Sequence, residues 1–237
     1  METIAFIRLH QFAEDQQEVM DQIAQYCDGL FVLTHDLIDE GMYDVARNHP
    51  KCICIQRWEK ERFANLQQLR FCLKWASKIK PKYVLEFDED EIPPHRFDEL
   101  FNWFKISDNR TMWFKGLWSW NGVYQIAVDP MRRYLAHMKV YKWSEEISEI
   151  DRGGFNAFKG MKYNSPDSML VRFPLIHAAF SSPALIANRM EVGGSKGHMY
   201  NDESWFNQDV KTVPYNEDLT NRDWMKLSRE IISNNSK

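Results

Sequence analysis

An apolar segment in the first half of the chain runs directly into four consecutive carboxylates, in the sequence YVLEFDEDEIPP. In an extended segment alternate side chains point to the same side, so Asp88 and Asp90 can converge on one hard cation. Mn²⁺ or Mg²⁺ held by a few carboxylate oxygens keeps coordination positions open for diphosphate oxygens and neutralises charge on a leaving group. The pattern predicts a metal site formed by these two residues.

The competing interpretation of this acidic segment is a solvated turn, which commonly follows a strand. Two Asp residues separated by one position occur too often by chance to decide between the interpretations. A buried strand that enters four carboxylates is costly unless a cation or solvent compensates the charge, and this cost favours the metal site.

The elements that must position the acidic segment alternate between strands and helices. Short apolar runs predict four strands, and apolar residues at helical spacing predict three intervening helices. The strands are residues 3–8, 30–34, 52–56 and 83–87, and the helices are residues 19–27, 37–48 and 61–79. This alternation predicts a mainly parallel sheet whose ligands bind beyond the carboxyl ends of the strands, where the acidic segment lies.

The second half of the chain is less regular, and we expect acceptor recognition there. A helix is predicted at 97–105, two strands joined around Asn121-Gly122 within 111–128, a strand across 169–176, and helices at 183–190 and 222–232. The composition of residues 191–204 is typical of a loop.

Length and charge exclude several classes of protein. The chain of 237 residues, 44% of them hydrophobic, has room for one sizeable α/β core with an elaborated C-terminal part. A net charge of -4 gives no global cationic field, so charge does not indicate a large nucleic-acid footprint. The N-terminal apolar run soon meets a charged residue, which fits neither a signal peptide nor a membrane span and favours a cytoplasmic location.

The four cysteines lack the spacing of zinc or redox sites. They lie in apolar segments, so we interpret them as small buried hydrophobic residues in a reducing compartment. They are Cys27, Cys52, Cys54 and Cys72.

The order of features over roughly residues 3–190 resembles that of glycosyltransferase family 2. The matching segments are VLTHD, at the end of the second strand, and LEFDEDE. The resemblance implies a GT-A-like, Rossmann-type, mainly parallel sheet flanked by helices, a divalent metal, and a nucleotide-sugar donor, with a UDP-sugar as the default. It also implies that Asp36 contacts the nucleotide base, although the run THDLIDEG departs from the family's usual Asp, Ser and Thr residues.

The same resemblance divides the single domain, residues 1–237, into functional parts. Residues 1–94 would bind the nucleotide sugar, residues 95–190 would form the acceptor side, and residues 191–237 would be a C-terminal loop and helix.

Two arginines are candidates for binding the donor. The opening IRLHQFAED is similar to the family's first turn, in which Arg8 would approach the nucleotide; a solvated arginine is the alternative. Arg70 lies in the helix before the metal strand, where the family often has a basic residue, and a guanidinium suits phosphate oxygens. An ordinary exposed helix residue is its alternative.

A histidine from a distant segment is a candidate third metal ligand. His177 follows the run VRFPLI and resembles the family's C-terminal histidine, which can complete the metal site. Imidazole nitrogen suits manganese, whereas the alternative is a hydrogen-bonded core histidine.

A catalytic base near the acceptor hydroxyl is needed only if the enzyme inverts configuration. Family members often place this acid before a glycine-rich loop, here Gly153-Gly154, although a charge run is usually a solvated face. The candidates are Glu145, Glu146, Glu149 and Asp151.

Other residues are candidates for contacting the substrates. Trp118 and Trp120 would offer a stacking surface to the acceptor, with core burial as the alternative. Arg189 and Lys196 would neutralise phosphates from a closing lid, with surface solvation as the alternative.

The sequence therefore predicts a metal-dependent glycosyltransferase for hexosyl or related groups. Its acceptor would carry a free hydroxyl on a glycan, a lipid-linked molecule, a protein or a modified nucleobase, without stable membrane insertion. A nucleotidyltransferase is the first alternative, because paired carboxylates and a divalent ion serve that chemistry too. Residues 6–18 contain no glycine, which counts against its phosphate loop. A noncatalytic glycan- or nucleic-acid-binding protein is the second.

Overall fold

The computed structural model describes most of the chain, in two compact units. The described residues are 1–9, 16–35, 40–58, 65–120, 122–128, 136–145, 165–178, 182 and 210–235. Unit 1 comprises Met1–Glu89, His95–Phe114 and Ala136–Val171. Unit 2 comprises Asp90–Pro94, Lys115–Leu135 and Arg172–Lys237.

Strands and helices alternate through β4, as the sequence predicts. In chain order the elements are β1 Thr3–Leu9, α1 Gln16–Ala24, β2 Gly29–His35, α2 Glu40–Asn48, β3 Cys52–Trp58, α3 Asn65–Ile79, β4 Tyr83–Asp88, β5 Glu91–Ile92, α4 Phe97–Ile106, β6 Thr111–Trp118, β7 Gln125–Ala127, β8 Ala136–Lys142, β9 Ser168–Leu170, β10 Leu175–His177, β11 Thr212–Pro214 and α5 Asn221–Asn235.

The sheet of unit 1 is mainly parallel. β1 pairs in parallel with both β2 and β4, and β2 pairs in parallel with β3. β8 is antiparallel to β4, and β9 is parallel to the first residues of β6. The strand order β3-β2-β1-β4 is that of one half of a Rossmann-type sheet, so the predicted fold class is confirmed.

Helices cover both faces of this sheet. Val84 of β4 joins the core that α3 closes with Cys72, Leu73 and Ala76. Phe87 points to the opposite face because it lies an odd number of residues further along the strand. There its ring lies 5.9 Å from that of Phe97, the first residue of α4.

Unit 2 contains short strands and the last helix. β10 is parallel to the end of β6 and antiparallel to β5. β7 pairs with β11, and α5 buries Trp224 against Tyr215, with parallel rings 6.0 Å apart.

One prediction for the second half of the chain is wrong. The strand predicted across 169–176 is two strands, β9 and β10, because Pro174 between them has no N–H to donate to a ladder. The two strands predicted within 111–128 are confirmed as β6 and β7. Among the described residues, β7 meets the chain after β6 at the isolated antiparallel bridge Ser119–Ile126 and pairs along its length with β11.

The cysteine prediction is half right. All four cysteines are free, and Cys27 and Cys72 are buried, but Cys52 and Cys54 are only partly buried. The reason is that both lie on β3, the last strand in the order of unit 1, where one side lacks a covering strand among the described residues. No helix within the described ranges is long and apolar enough to span a bilayer.

Candidate active site

An ion pair joins the carboxyl ends of the two central strands of unit 1. Arg8 of β1 and Asp88 of β4 are direct partners in the parallel register. The guanidinium approaches the carboxylate with two nitrogens, Nε at 2.7 Å from Oδ1 and Nη2 donating to Oδ2 at 3.2 Å. The guanidinium therefore holds the carboxylate by one hydrogen bond, from Nη2, and by the charge–charge contact of Nε.

A second carboxylate shares the same guanidinium. Glu86 lies two residues before Asp88 on β4, on the same face of the strand. Its Oε1 is 3.6 Å from Nη2 of Arg8, and both side chains are 2% exposed. Asp88 is 24% exposed, so the group of three is buried except at the end of the strand.

The surroundings of Glu86 keep nearby acidic groups neutral. Burial, followed by the negative charge of Glu86, raises the pKa of the Cys72 thiol well above its ordinary value. The same two causes, in the same order, raise the pKa of Tyr141. The Cys72 thiol and the Tyr141 phenol therefore stay neutral beside Glu86.

In unit 2, the acidic segment and the distant histidine come together. His177 Nε2 lies 3.4 Å from Asp90 Oδ1, longer than a typical N–H···O hydrogen bond. Asp90 is 5% exposed and His177 22%. The backbone fixes this arrangement, because β10 pairs with β5 and the N–H of Ala178 donates to the carbonyl of Asp90 at 2.6 Å.

The tryptophans of the LWSWNG run have different surroundings. Trp118 is partly buried, and its ring meets that of His177 edge-on, with centroids 6.0 Å apart. Trp120 is 5% exposed and so offers little surface to an acceptor. Of these two candidates, Trp118 is the one beside His177.

The donor atoms of unit 2 fit a manganese or magnesium ion in chemical type. Asp90 supplies carboxylate oxygen and His177 supplies imidazole nitrogen, which manganese accepts together. Within the described part of the chain, no three His, Cys, Asp or Glu side chains form a cluster suited to a metal. Ions of this class commonly use one or two protein carboxylates together with substrate phosphates, so two protein ligands are compatible with such a site.

Several predicted residues lie outside what the structure describes. These are Asp36, Glu146, Glu149, Asp151, Arg189 and Lys196, and for Arg70 only the backbone, on α3, is described. Their roles stay predictions.

Two other candidates can be placed. Glu145 is 81% exposed and pairs with Lys80 at 2.8 Å, and a hydrogen bond from Lys80 lowers its pKa, so it forms a surface ion pair. Arg8, predicted to approach the nucleotide, is instead seen holding two carboxylates, and its contact with a nucleotide stays a prediction.

Sequence reasoning missed Glu86 as a member of the group that it forms with Arg8 and Asp88. The signal was present, because Glu86 and Asp88 alternate along β4, but Glu86 lies among apolar residues in YVLEFD. Only the pairing of β1 with β4 shows that Arg8 lies beside it.

No protein-family model matches the chain, and no curated protein matches it. Solved structures show weak similarity. A 4-diphosphocytidyl-2C-methyl-D-erythritol synthase matches at TM-score 0.40 and 13% identity, over 60% of this chain and 74% of that enzyme. The corresponding synthase of Anaerococcus prevotii DSM 20548 matches at TM-score 0.38 and 11% identity, over 97% of each chain. S. aureus TarS matches at TM-score 0.37 and 13% identity, over 60% of this chain and 28% of TarS. At these values the similarities say nothing about what this chain binds.

Proposed function

We propose that the protein is a metal-dependent glycosyltransferase that moves a sugar from a nucleotide diphosphate to an acceptor hydroxyl. The observation that carries the proposal is the Arg8–Asp88 pair at the carboxyl ends of adjacent parallel strands. Ligands of open α/β sheets bind beyond these strand ends. A carboxylate oriented there, and still 24% exposed, is suited to a cation that carries a diphosphate.

The geometry of unit 2 supports the same proposal through different residues. Asp90 and His177 bring one oxygen and one nitrogen donor to 3.4 Å from each other. When bound, Mn²⁺ or Mg²⁺ would supply charge neutralisation for the diphosphate leaving group. Asp90 and His177 would hold the ion, and the sequence alone adds Asp88 as a further ligand. The backbone pairing of β5 with β10 would keep the histidine in place.

The remaining roles follow from the sequence resemblance. Asp36, Arg8 and Arg70 would contact the nucleotide, with a UDP-sugar as the first donor to test. If the reaction inverts configuration, Glu146, Glu149 or Asp151 would take the proton of the acceptor hydroxyl.

The test is release of nucleotide diphosphate from a panel of nucleotide sugars, with and without Mn²⁺ or Mg²⁺. We expect metal-dependent release from one donor, lost in Asp90→Asn, which keeps the side-chain size but removes the charge. Asp108→Asn, an exposed aspartate on unit 1, is the control and should retain activity. No turnover and no metal-dependent binding of any nucleotide sugar would overturn the proposal. Release of pyrophosphate from a nucleoside triphosphate would favour a nucleotidyltransferase instead.

A further inference from the structure

We infer that Trp118 is a positioning residue, whose indole holds the imidazole of His177 in the orientation that faces Asp90. The inference rests on the proposed function, because it takes Asp90 and His177 as the residues that hold the cation. It assigns to Trp118 a role other than acceptor stacking or core burial, the two roles that the sequence predicts.

The backbone places Trp118 and His177 side by side. The two residues are direct partners in the parallel register of β6 with β10, so their side chains project from the same face of this sheet. Directly after that pair, the N–H of Ser119 donates to the carbonyl of His177 at 3.1 Å. On the other side of β10, the N–H of Ala178 donates to the carbonyl of Asp90 at 2.6 Å. The main chain at His177 is therefore held from both sides.

The backbone does not by itself fix the direction of the imidazole. The last side-chain torsion of a histidine joins a tetrahedral carbon to a planar ring, and the distribution of such torsions is broad. Nε2 of His177 lies 3.4 Å from Asp90 Oδ1, longer than a typical N–H···O hydrogen bond. This contact restrains the ring weakly, so packing against the ring contributes to its orientation.

The indole of Trp118 supplies such packing. Its ring centroid lies 6.0 Å from that of the imidazole of His177, and the two ring planes meet at 71°. Edge-to-face pairs with centroids about 4.5–7 Å apart are a favoured arrangement of aromatic rings. Trp118 is itself partly buried, and a large planar side chain with two torsions loses little conformational freedom when it is held in place. Because rotation of the imidazole about its last torsion changes the angle between the two planes, this contact opposes the rotation.

Removing the indole should leave the proposed nitrogen ligand free to turn. In Trp118→Leu the side chain stays apolar, but it has no ring against which the imidazole can pack. A cation would then have to order His177 on binding, and the free energy of this ordering lowers its affinity. An aromatic contact of this kind changes an equilibrium by about two- to tenfold, and we expect a loss of Mn²⁺ affinity in the upper part of this range.

The experiment measures Mn²⁺ binding by calorimetry in the presence of UDP, together with pulsed electron paramagnetic resonance of the bound ion. The resonance method detects magnetic coupling between Mn²⁺ and a coordinated imidazole nitrogen, and its loss in His177→Gln assigns the coupling to His177. For Trp118→Leu we expect Mn²⁺ affinity to fall by about five- to tenfold, with a smaller share of the bound ions showing the coupling. Trp118→Phe retains a ring, so it should keep the coupling and stay within about twofold of the wild-type affinity.

The matched control is Trp103→Leu, because Trp103 is 59% exposed on α4 of unit 1. The same replacement at this exposed position should leave Mn²⁺ affinity within about twofold of the wild type. Trp118→Met also lacks a ring but fills more of the volume of the indole. It carries the same expectation as Trp118→Leu and replaces that variant if it folds poorly. Urea unfolding of every variant separates a loss of stability from a change in metal binding.

The outcomes separate this inference from the proposed function. A folded Trp118→Leu or Trp118→Met with wild-type Mn²⁺ affinity and nitrogen coupling would overturn the inference and leave the proposed function standing. Mn²⁺ binding in the wild type without coupling to His177 would also overturn the inference. A wild type that neither binds Mn²⁺ with UDP nor releases nucleotide would overturn both. Weaker binding in Trp118→Leu, with wild-type binding in Trp118→Phe and Trp103→Leu, would support the inference.

Discussion

Arg8 and Glu86 are both almost completely buried in unit 1, and their side chains meet at 3.6 Å on the face of the sheet that α3 covers. Removing charged groups from water costs free energy, and a buried pair often repays that cost incompletely. Loss of one partner is a different matter, because it removes an opposite charge from a group that stays buried. The pair therefore gives a direct stability prediction.

Arg8→Met should destabilise the protein by about 3–5 kcal/mol, because Glu86 then keeps a buried charge without its guanidinium. Arg96→Met, which breaks an exposed ion pair with Glu99, should cost no more than about 1 kcal/mol. Urea unfolding of the two variants gives the comparison. The double variant Arg8→Met/Glu86→Gln should recover part of the loss, and equal costs for both arginines would contradict the prediction.

Thr34→Val should leave stability unchanged or increase it by up to about 1 kcal/mol. The reason is that the Thr34 hydroxyl is buried and has no hydrogen-bond partner among the described residues. Thr111→Val is the matched control, since the buried Thr111 hydroxyl contacts Ser168 Oγ at 2.8 Å and accepts from Trp113 Nε1 at 2.9 Å.

Thr111→Val should lower the free energy of unfolding by about 1–3 kcal/mol, because the partners of Thr111 are left unsatisfied. Denaturant midpoints of both variants make the measurement. A Thr34→Val loss as large as that of Thr111→Val would show that the Thr34 hydroxyl has a stabilising partner.

The Cys27 thiol should make stability fall in alkaline solution. Burial, as the largest cause, raises its pKa from 9.0 to about 12. As pH rises above about 9, the unfolded chain loses this proton before the folded protein does, so unfolding becomes more favourable. The stabilisation linked to the raised pKa of Cys27 is fully present below pH 9 and is lost as pH rises toward 12.

The measurement is the unfolding free energy of the wild type and Cys27→Ala between pH 8 and 10.5. The advantage of the wild type over the variant should shrink across this range. A constant difference would mean that the thiol titrates alike in the folded and unfolded chains.

The parts of the fold that could be predicted from the sequence are those whose signal lies within one short segment. β1 to β4 were predicted within a few residues, because each is a short apolar run whose signal is local. The break between β9 and β10 was missed although Pro174 is visible in the sequence, because apolar residues lie on both sides of it in MLVRFPLI. The exposure of Cys52 and Cys54 was missed because it depends on strand order, which no single segment encodes.

The candidate site likewise contains residues with a local sequence signal and residues that only strand pairing brings together. Asp88 and Asp90 were predicted as metal ligands from their spacing, and His177 from the family resemblance; that they bind a metal stays a prediction. The partner of Asp88 was not found, because Arg8 reaches it through the pairing of two strands that are far apart in sequence. Glu86 was missed for the same reason.

The most direct test of the central claim is calorimetric titration of the protein with Mn²⁺ in the presence of UDP, for the wild type, His177→Gln and Asp108→Asn. His177 Nε2 lies 3.4 Å from Asp90 Oδ1 where β10 pairs with β5. Its replacement therefore removes a proposed nitrogen ligand without changing the acidic segment. We predict binding in the wild type and in Asp108→Asn, weakened at least about tenfold in His177→Gln. Equal Mn²⁺ affinity in all three proteins, or no binding in any, would contradict the account.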